Sequence, residues 1–510
     1  MFLQLLTLAS LVLLPLLFFF VFRASSQPNA KTSNNTKVLK SYPIIGSFIT
    51  LYKNHERRLP WFTDLLRSSP SNTLTIHHSL GKHFVVTGNP TVVQHILKTH
   101  FPIYEKGNTF RTTLTDLLGD GIFNADGDNW KFQRRVSSHE FNTKSLRKFV
   151  EQVVDTELSD RLIPILSAAA TNNLILDFQD ILQRFAFDNI CRIAFGYDPA
   201  YLLPTLPEAK FAVAFDDAVQ FSGDRFSSFP QVWKLKRFLG IGSEKRLRAA
   251  VSEVREFANT IVREKKRELS EKKALESVDL LSRFLGSGHS DEKFVTDIVI
   301  SFTLAGRDTT SAALTWFFWL LSQNPHVEDD ILKEISGTTE LESATGGYDE
   351  VMEMVYTHAA LCESMRLYPP VPGNSKQAMK DDVLPDGTKV KKGMVVNYNV
   401  YAMGRMEEIW GEDWAEYRPE RWLEEREENG AHKWKFVGRD SFSYPVFQAG
   451  PRICLGKEMA FLQMKRVVSA VLKSFKLVPV EREGGAQPEF LAYLTGKMKG
   501  GFPVTIVERA

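Results

Sequence analysis

The sequence predicts a mainly helical protein with a small β-rich region, tethered by one N-terminal membrane-spanning helix. Three observations predict it. An uncharged apolar run occupies Phe2–Phe22, helical periodicity dominates from about Pro90 to Ser375, and short β-branched runs are confined to the flanks of that stretch.

The N-terminal run, "FLQLLTLASLVLLPLLFFFVF", reaches the roughly 20 apolar residues that a bilayer-crossing helix needs. Its start carries no positive charge and its apolar stretch outlasts that of a secretory signal, although "RASSQ" resembles a cleavage site. An uncleaved anchor over residues 1–23 is therefore expected. Arg23, Lys31, Lys37 and Lys40 follow it and place the body on the cytosolic side, so the sequon at Asn34 would not meet the lumen. Residues 24–40 have linker composition, rich in Ser, Asn and Lys, and the folded body is expected over 41–510.

In the body, "TLTIHH" and "HFVVTGNP" predict early strands, and "VLPDGTKVKKGMVVNYNV" and "FKLVPV" late ones. Between Glu244 and Lys273 a charged helix carries the stripe Leu247, Val251, Val254, Ala258 and Ile261, so its charges read as solvated surface. His77-His78 has no metal-ligand spacing and reads as surface. "GIGSEK" has no strand before it and makes no nucleotide site. No internal repeat is visible.

Length and composition set wide bounds. The 510 residues would suit about three domains at ~150 residues each. Hydrophobic residues make up 43%, enough for a large core. The net charge of +2 gives no reason to expect a nucleic-acid partner. Three cysteines, Cys191, Cys362 and Cys454, lie far apart without a CxxC pair, which argues for a reducing compartment.

Chemistry concentrates in a few segments. In "FQAGPRICLGKEMAFLQMKR", Cys454 sits between Gly450 and Gly456, two residues past Arg452, at a helix expected to begin at Leu455. Unpaired N–H groups at a helix start favour an anion, so the thiol there could ionise and act as nucleophile or metal ligand. A lone cysteine is equally a small core residue. Val295–Gln323 reads as one helix about 44 Å long, apolar nearly all round and so buried. Arg307 and Asp308 in mid-run argue against a second membrane span. Within it Ala305 and Gly306 form a small-residue patch on which something flat could lie. Asp308, Thr309 and Thr310 bring polar groups into a core, a cost that persists mainly where function needs it. Glu363 and Arg366 share a helix face, and Arg421 in "YRPERW" could complete an interior clamp. Trp130 and Arg134, one turn apart, can both donate to a carboxylate.

Together these segments resemble the cytochrome P-450 haem-thiolate monooxygenases. The family's Phe-x-x-Gly-x-Arg-x-Cys-x-Gly is matched by Phe447, Gly450, Arg452, Cys454 and Gly456. Its oxygen-side helix motif is matched by Ala305, Gly306, Asp308, Thr309 and Thr310, and its Glu-x-x-Arg by Glu363 and Arg366. Its Pro-Glu-Arg is matched by Pro419–Arg421, and its Trp-x-x-x-Arg by Trp130 and Arg134. The order and spacing agree from about residue 40 to the end. "DDVLPDG", "YAMGRMEEIWGEDWAEYRPERW" and "FVGRDSFSYPVFQAG" are similar to the plant fatty-acid omega-hydroxylase branch, whose neighbouring members hydroxylate jasmonoyl-isoleucine.

The resemblance implies one large domain in place of three. It implies haem b with Cys454 as axial thiolate, propionates held by Trp130, Arg134 and Arg452 with Lys376 a further candidate, and close backbone passage at Gly450 and Gly456. Asp308 and Thr309 would supply protons during oxygen activation. Ala305 replaces the Glu that some animal relatives esterify to haem, so no such link is expected. Leu304, Ala305, Val371, Pro372 and Leu494 would wall the substrate channel, with Arg111 or Arg225 a candidate to hold the fatty acid's carboxylate. O2 and electrons from an NADPH-cytochrome reductase would be used, the reductase meeting Lys131, Arg135, Lys457 and Lys465 at the endoplasmic reticulum membrane. The expected reaction is hydroxylation of the terminal carbon of medium- or long-chain fatty acids. Jasmonoyl-isoleucine hydroxylation is the alternative within the class. Hydroperoxide isomerisation or dehydration is the alternative outside it, in enzymes that typically lack the acid–threonine pair.

Overall fold

The structure, a computed structural model, describes residues 39–509 apart from 43–44, 78–81, 142–143, 272–278, 287–290, 338–347 and 429–430. The expected anchor, the sequon at Asn34, nearly all of the expected linker and His78 lie outside the described residues.

The predicted buried helix is the axis of the fold. It runs Glu292–Gln323, and the Asp291 side chain accepts from the Lys293 N–H to cap its start. Two apolar cores flank it at different heights. One gathers around its first half, from Val295 to Leu304, with the helix Phe178–Phe195 and the long helix Gly242–Glu271. The other gathers around its second half, from Ala313 to Leu321, with the clamp helix Val355–Leu367 and the cysteine helix Lys457–Ser474. The polar turn Ala305–Thr310 falls where the two cores part, and an opening forms there. Among the described residues no helix is long and apolar enough to cross a membrane.

The predicted strands form and pair across large sequence distances. Thr73–His77 and His83–Thr87 make an antiparallel pair, and the second runs parallel to Val395–Tyr398. Asn374–Ala378 and Tyr104–Glu105 complete this five-stranded sheet. Phe475–Pro479 joins Pro503–Glu508 and Ile175–Asp177 in a three-stranded sheet.

Three local expectations change. The charged hairpin Leu423–Glu428 with Ala431–Phe436 was not anticipated. Its charges suggest a solvated loop, but the register sets Glu424 opposite Lys435, a favourable cross-strand pair. The long helix buries its predicted stripe, yet Glu244 and Lys265 are buried too, so its charges are not all solvated. Lys265 donates to Asp279 at 3.1 Å and Glu268 at 2.9 Å. The cysteine helix starts at Lys457, not Leu455, so Cys454 sits in the turn just before it.

Candidate active site

The opening between the two cores is a cavity of about 2010 Å³. That is roughly twice the upper end of the ~300–1,000 Å³ usual for a small-molecule pocket, enough for a macrocycle and a second molecule. The central helix contributes Leu304, Ala305, Gly306 and Thr309 to its wall, and the cysteine loop contributes Arg452, Cys454 and Gly456. Trp130, Arg134 and Lys376 line it too, as do the expected channel residues Val371, Pro372 and Leu494.

Of the three cysteines only Cys454 opens on this cavity; Cys191 and Cys362 are sealed in the cores. Cys454 is exposed and lines the cavity. Burial raises its thiol pKa, and the Gly456 N–H, Arg134 and Lys457 pull it back down. A bound metal ion would ionise such a thiol outright. The loop that presents it is held by the Cys454 N–H donating to the Phe447 carbonyl at 2.8 Å and by the Tyr398 hydroxyl donating to Gln448. Gln448 has φ 61° and ψ 180°, a strained backbone that its surroundings must maintain.

Two of the glycines make room for close packing. Gly450 does not line the cavity; its φ is +64°, and a Cβ there would lie 2.0 Å from the Leu97 carbonyl oxygen. Its bareness lets the cysteine loop rest on residues 97–98. A Cβ on Gly306 would fall 2.5 Å from Ile190, so Gly306 permits close helix packing as well as lining the cavity.

A desolvated cationic corner lies beside Cys454. Arg452 donates to the Asp126 carboxylate at 2.8 Å and the Ala125 carbonyl at 2.9 Å, and stacks on Trp130 with 4.4 Å to the ring centroid. Its Nε and the Lys376 Nζ are buried without a partner among the described residues. Burial, then the neighbouring Arg452 and Lys106, hold the Lys376 pKa well below the ordinary lysine value. Lys106 is a residue the sequence reading missed, since one lysine before a helix looks like any surface lysine. It donates to Asn374 at 2.9 Å, and burial followed by Arg452 lowers it to about 7. Buried cations short of anions fit a ligand that brings carboxylates, as haem does through its two propionates. Arg134 also faces the cavity but donates to the Ile453 carbonyl at 2.5 Å, and so braces the cysteine loop.

The acid–threonine pair splits between two environments. Thr309 lines the cavity and its hydroxyl donates to the Ala305 carbonyl at 2.6 Å. Asp308 does not line it; only 2% exposed, it pairs with Arg307 at 2.8 Å and accepts from Thr495 at 3.2 Å. Arg307 and Lys497 both bind Asp216 at 2.7 Å, which closes a network the sequence reading did not foresee. Burial pushes the Asp308 carboxyl above its ordinary range, opposed by Arg307 and Lys497. Thr309 is thus the member of the pair that faces the cavity, while Asp308 faces the ion network.

The clamp forms as predicted. Arg366 makes a two-pronged contact with Glu363 at 2.7 and 2.8 Å, and Arg421 adds a third bond at 3.0 Å.

Other expectations fail for reasons of partner choice. Arg225 spends its guanidinium on Glu244, Asp116 and the Thr113 carbonyl, so it has no free fork for a substrate carboxylate. Arg111 does not line the cavity and pairs with Asp120 at 3.5 Å. Lys465 is 1% exposed and donates to the Met352 carbonyl at 2.9 Å, which removes it from any docking face. Lys131, Arg135 and Lys457 remain exposed.

A family model described as cytochrome P450 matches residues 37–496. The chain is a cytochrome P450. It is 63% identical over 471 residues to cytochrome P450 94A1 of Vicia sativa, covering 92% of this chain and 90% of that one. It is 62% identical to cytochrome P450 94A2 of the same plant, over 97% of this chain and 96% of that one. Identity to cytochrome P450 94B1 of Arabidopsis thaliana is 49%, over 97% and 95%. The solved cytochrome P450DA heme domain shares the fold, with a TM-score of 0.71 at 20% identity over 89% of this chain and 94% of that one.

This P450 therefore uses haem b with a cysteine thiolate as axial ligand and takes its electrons from a redox partner. Cys454 would hold the iron, and Lys376, Arg452, Trp130 and Lys106 would meet the propionates. When bound, the haem supplies oxygen activation and insertion into a C–H bond, the thiolate favouring O–O cleavage. The chain's own residues would hold the thiolate in place, position the substrate and, at the cavity-facing Thr309 hydroxyl, pass on protons. Thr309→Ala is expected to keep the thiolate-type spectrum while product per NADPH falls several-fold and peroxide rises. An unchanged ratio of product to NADPH would remove Thr309 from proton delivery.

Proposed function

We propose that this P450 hydroxylates the terminal carbon of medium- and long-chain fatty acids. In this reading O2 and an NADPH-cytochrome reductase are its co-substrate and electron source, and an N-terminal helix anchors it in the endoplasmic reticulum membrane.

The supporting observation is how the walls are tied at the Thr309 turn. Thr495 donates to Asp308 on the central helix, and the Gly496 N–H donates to the Pro370 carbonyl at 2.8 Å. These bonds fix Leu494 and the pair Val371-Pro372 relative to Thr309, so apolar walls from three parts of the chain are locked around one point. Terminal C–H bonds are stronger than internal ones, so attack at the chain end needs walls that present only the end. Apolar walls braced in this way would supply that selectivity. The cavity-facing threonine favours oxygenation over hydroperoxide rearrangement, which needs neither reductase nor proton delivery.

The test is product identity. Reconstituted with reductase, the protein should convert saturated and unsaturated fatty acids mainly to terminal alcohols, read by mass spectrometry. Leu494→Ala should move oxidation inward along the chain. Mostly internal alcohols from the parent protein, or turnover of jasmonoyl-isoleucine with none of fatty acids, would overturn the proposal.

A further inference from the structure

We propose that this protein carries a second metal site, outside the cavity, in which His95, His100 and Asp382 bind a zinc ion. The helix Pro90–Gln94 continues as a wider π turn over His95–Thr99, closed by the His100 N–H donating to the His95 carbonyl at 2.8 Å. In an α-helix residues five apart point about 140° away from each other. The π turn reduces that divergence, and the His95 and His100 rings meet with centroids 4.0 Å apart. Single π turns inside helices frequently mark functional sites.

Asp382, opening the short strand Asp382–Val383, closes the third side. Its Oδ2 lies 2.8 Å from His95 Nε2 and 4.0 Å from His100 Nδ1, and His100 Nδ1 lies 2.6 Å from His95 Nε2. Three lone-pair-bearing atoms thus converge within 4.8 Å. Around a tetrahedral zinc with bonds of about 2.0–2.1 Å, donors sit roughly 3.3–3.4 Å apart. The three observed separations bracket that value, so each ligand moves by less than about 1 Å to bind.

The surroundings suit an ion. Two facing ring nitrogens can share only one proton, whereas a cation satisfies both lone pairs together with the carboxylate. The Tyr104 hydroxyl donates to Asp382 Oδ2 at 2.8 Å and orients it, the kind of outer contact that supports metal ligands. His95 and Asp382 are 11% and 13% exposed, while His100 at 45% leaves an entry path and a fourth position for water. Two imidazoles and a carboxylate suit zinc over magnesium. The site also bears on the haem ligand, because the Leu97 carbonyl in the same π turn abuts Gly450 of the cysteine loop. A bound ion would join residues 95–100 to residue 382 and stiffen the seat of that loop.

The experiment uses untagged, full-length, haem-loaded protein stripped of loosely bound metal with a chelator and titrated with zinc chloride by calorimetry. About one zinc per chain should bind in the micromolar range or tighter and raise the thermal unfolding midpoint, while magnesium chloride does neither. His100→Ala removes a half-exposed ring and should weaken zinc binding at least tenfold, leaving the reduced-carbonyl spectrum unchanged. Asp382→Asn should weaken it similarly. His77→Ala, at the exposed His77–His83 pair, should change nothing. No zinc uptake, uptake insensitive to His100→Ala, or uptake lost with His77→Ala instead would each overturn the proposal.

Discussion

Replacing Cys454 with alanine is expected to reduce oxygenation to background and to abolish the thiolate-type spectrum of the reduced carbonyl complex. No other cysteine lines the cavity to replace its thiolate. Cys191 and Cys362 are both buried away from the cavity, and burial pushes the Cys362 thiol up to about 12. Cys191→Ala and Cys362→Ala should therefore keep the spectrum, at worst with some loss of stability from a small core void. The comparison separates ligation from folding, since all three variants remove one sulfur but only one removes it from the cavity. A Cys454→Ala protein that retained the thiolate spectrum would place the ligand elsewhere.

The second large effect is expected at the clamp. Glu363 and Arg366 are both 0% exposed. Besides its arginines, Glu363 accepts from the Trp422 indole N–H at 2.9 Å and the Arg418 N–H at 3.1 Å. Arg366 in turn donates to the Trp414 carbonyl at 2.8 Å and the Glu416 carbonyl at 2.9 Å. The clamp thus pins the segment 404–422 to the helix Val355–Leu367. Glu363→Ala leaves two buried guanidinium groups without their shared anion, a loss of about 3–5 kcal/mol. That is a large fraction of the ~5–15 kcal/mol that holds a typical domain folded. The variant should show a lower denaturation midpoint and poor haem retention. Arg366→Lys should not rescue, because an ammonium cannot reproduce the fork geometry. A Glu363→Ala protein within about 1 kcal/mol of the parent in urea titration would show that the clamp is not structural.

By itself, the sequence determined whatever depends on spacing along one element. The central helix was legible because apolar residues cover it on all sides from Val295 onward, and it is found at Glu292–Gln323. Glu363 and Arg366 were legible because three residues along a helix set a shared face. Cys454, Arg452 and Trp130 were legible through motif spacing, and each does line the cavity.

What only the tertiary structure decided is which partner each charge finds and which face opens to the cavity. Lys465 and Lys457 lie on one helix, yet one is buried against the Met352 carbonyl and the other is exposed. Arg225 looked available until Glu244 and Asp116 met it. Lys106 carried no local signal until Asn374, 268 residues away, accepted a hydrogen bond from it in a desolvated corner. Asp308 and Thr309 are adjacent in sequence, but successive helical residues point about 100° apart, so one faces an ion network and the other the cavity. The physical reason is range. Periodic burial is written within a few turns of chain, whereas an ion's partner and a cavity's wall come from segments hundreds of residues apart that only packing brings together.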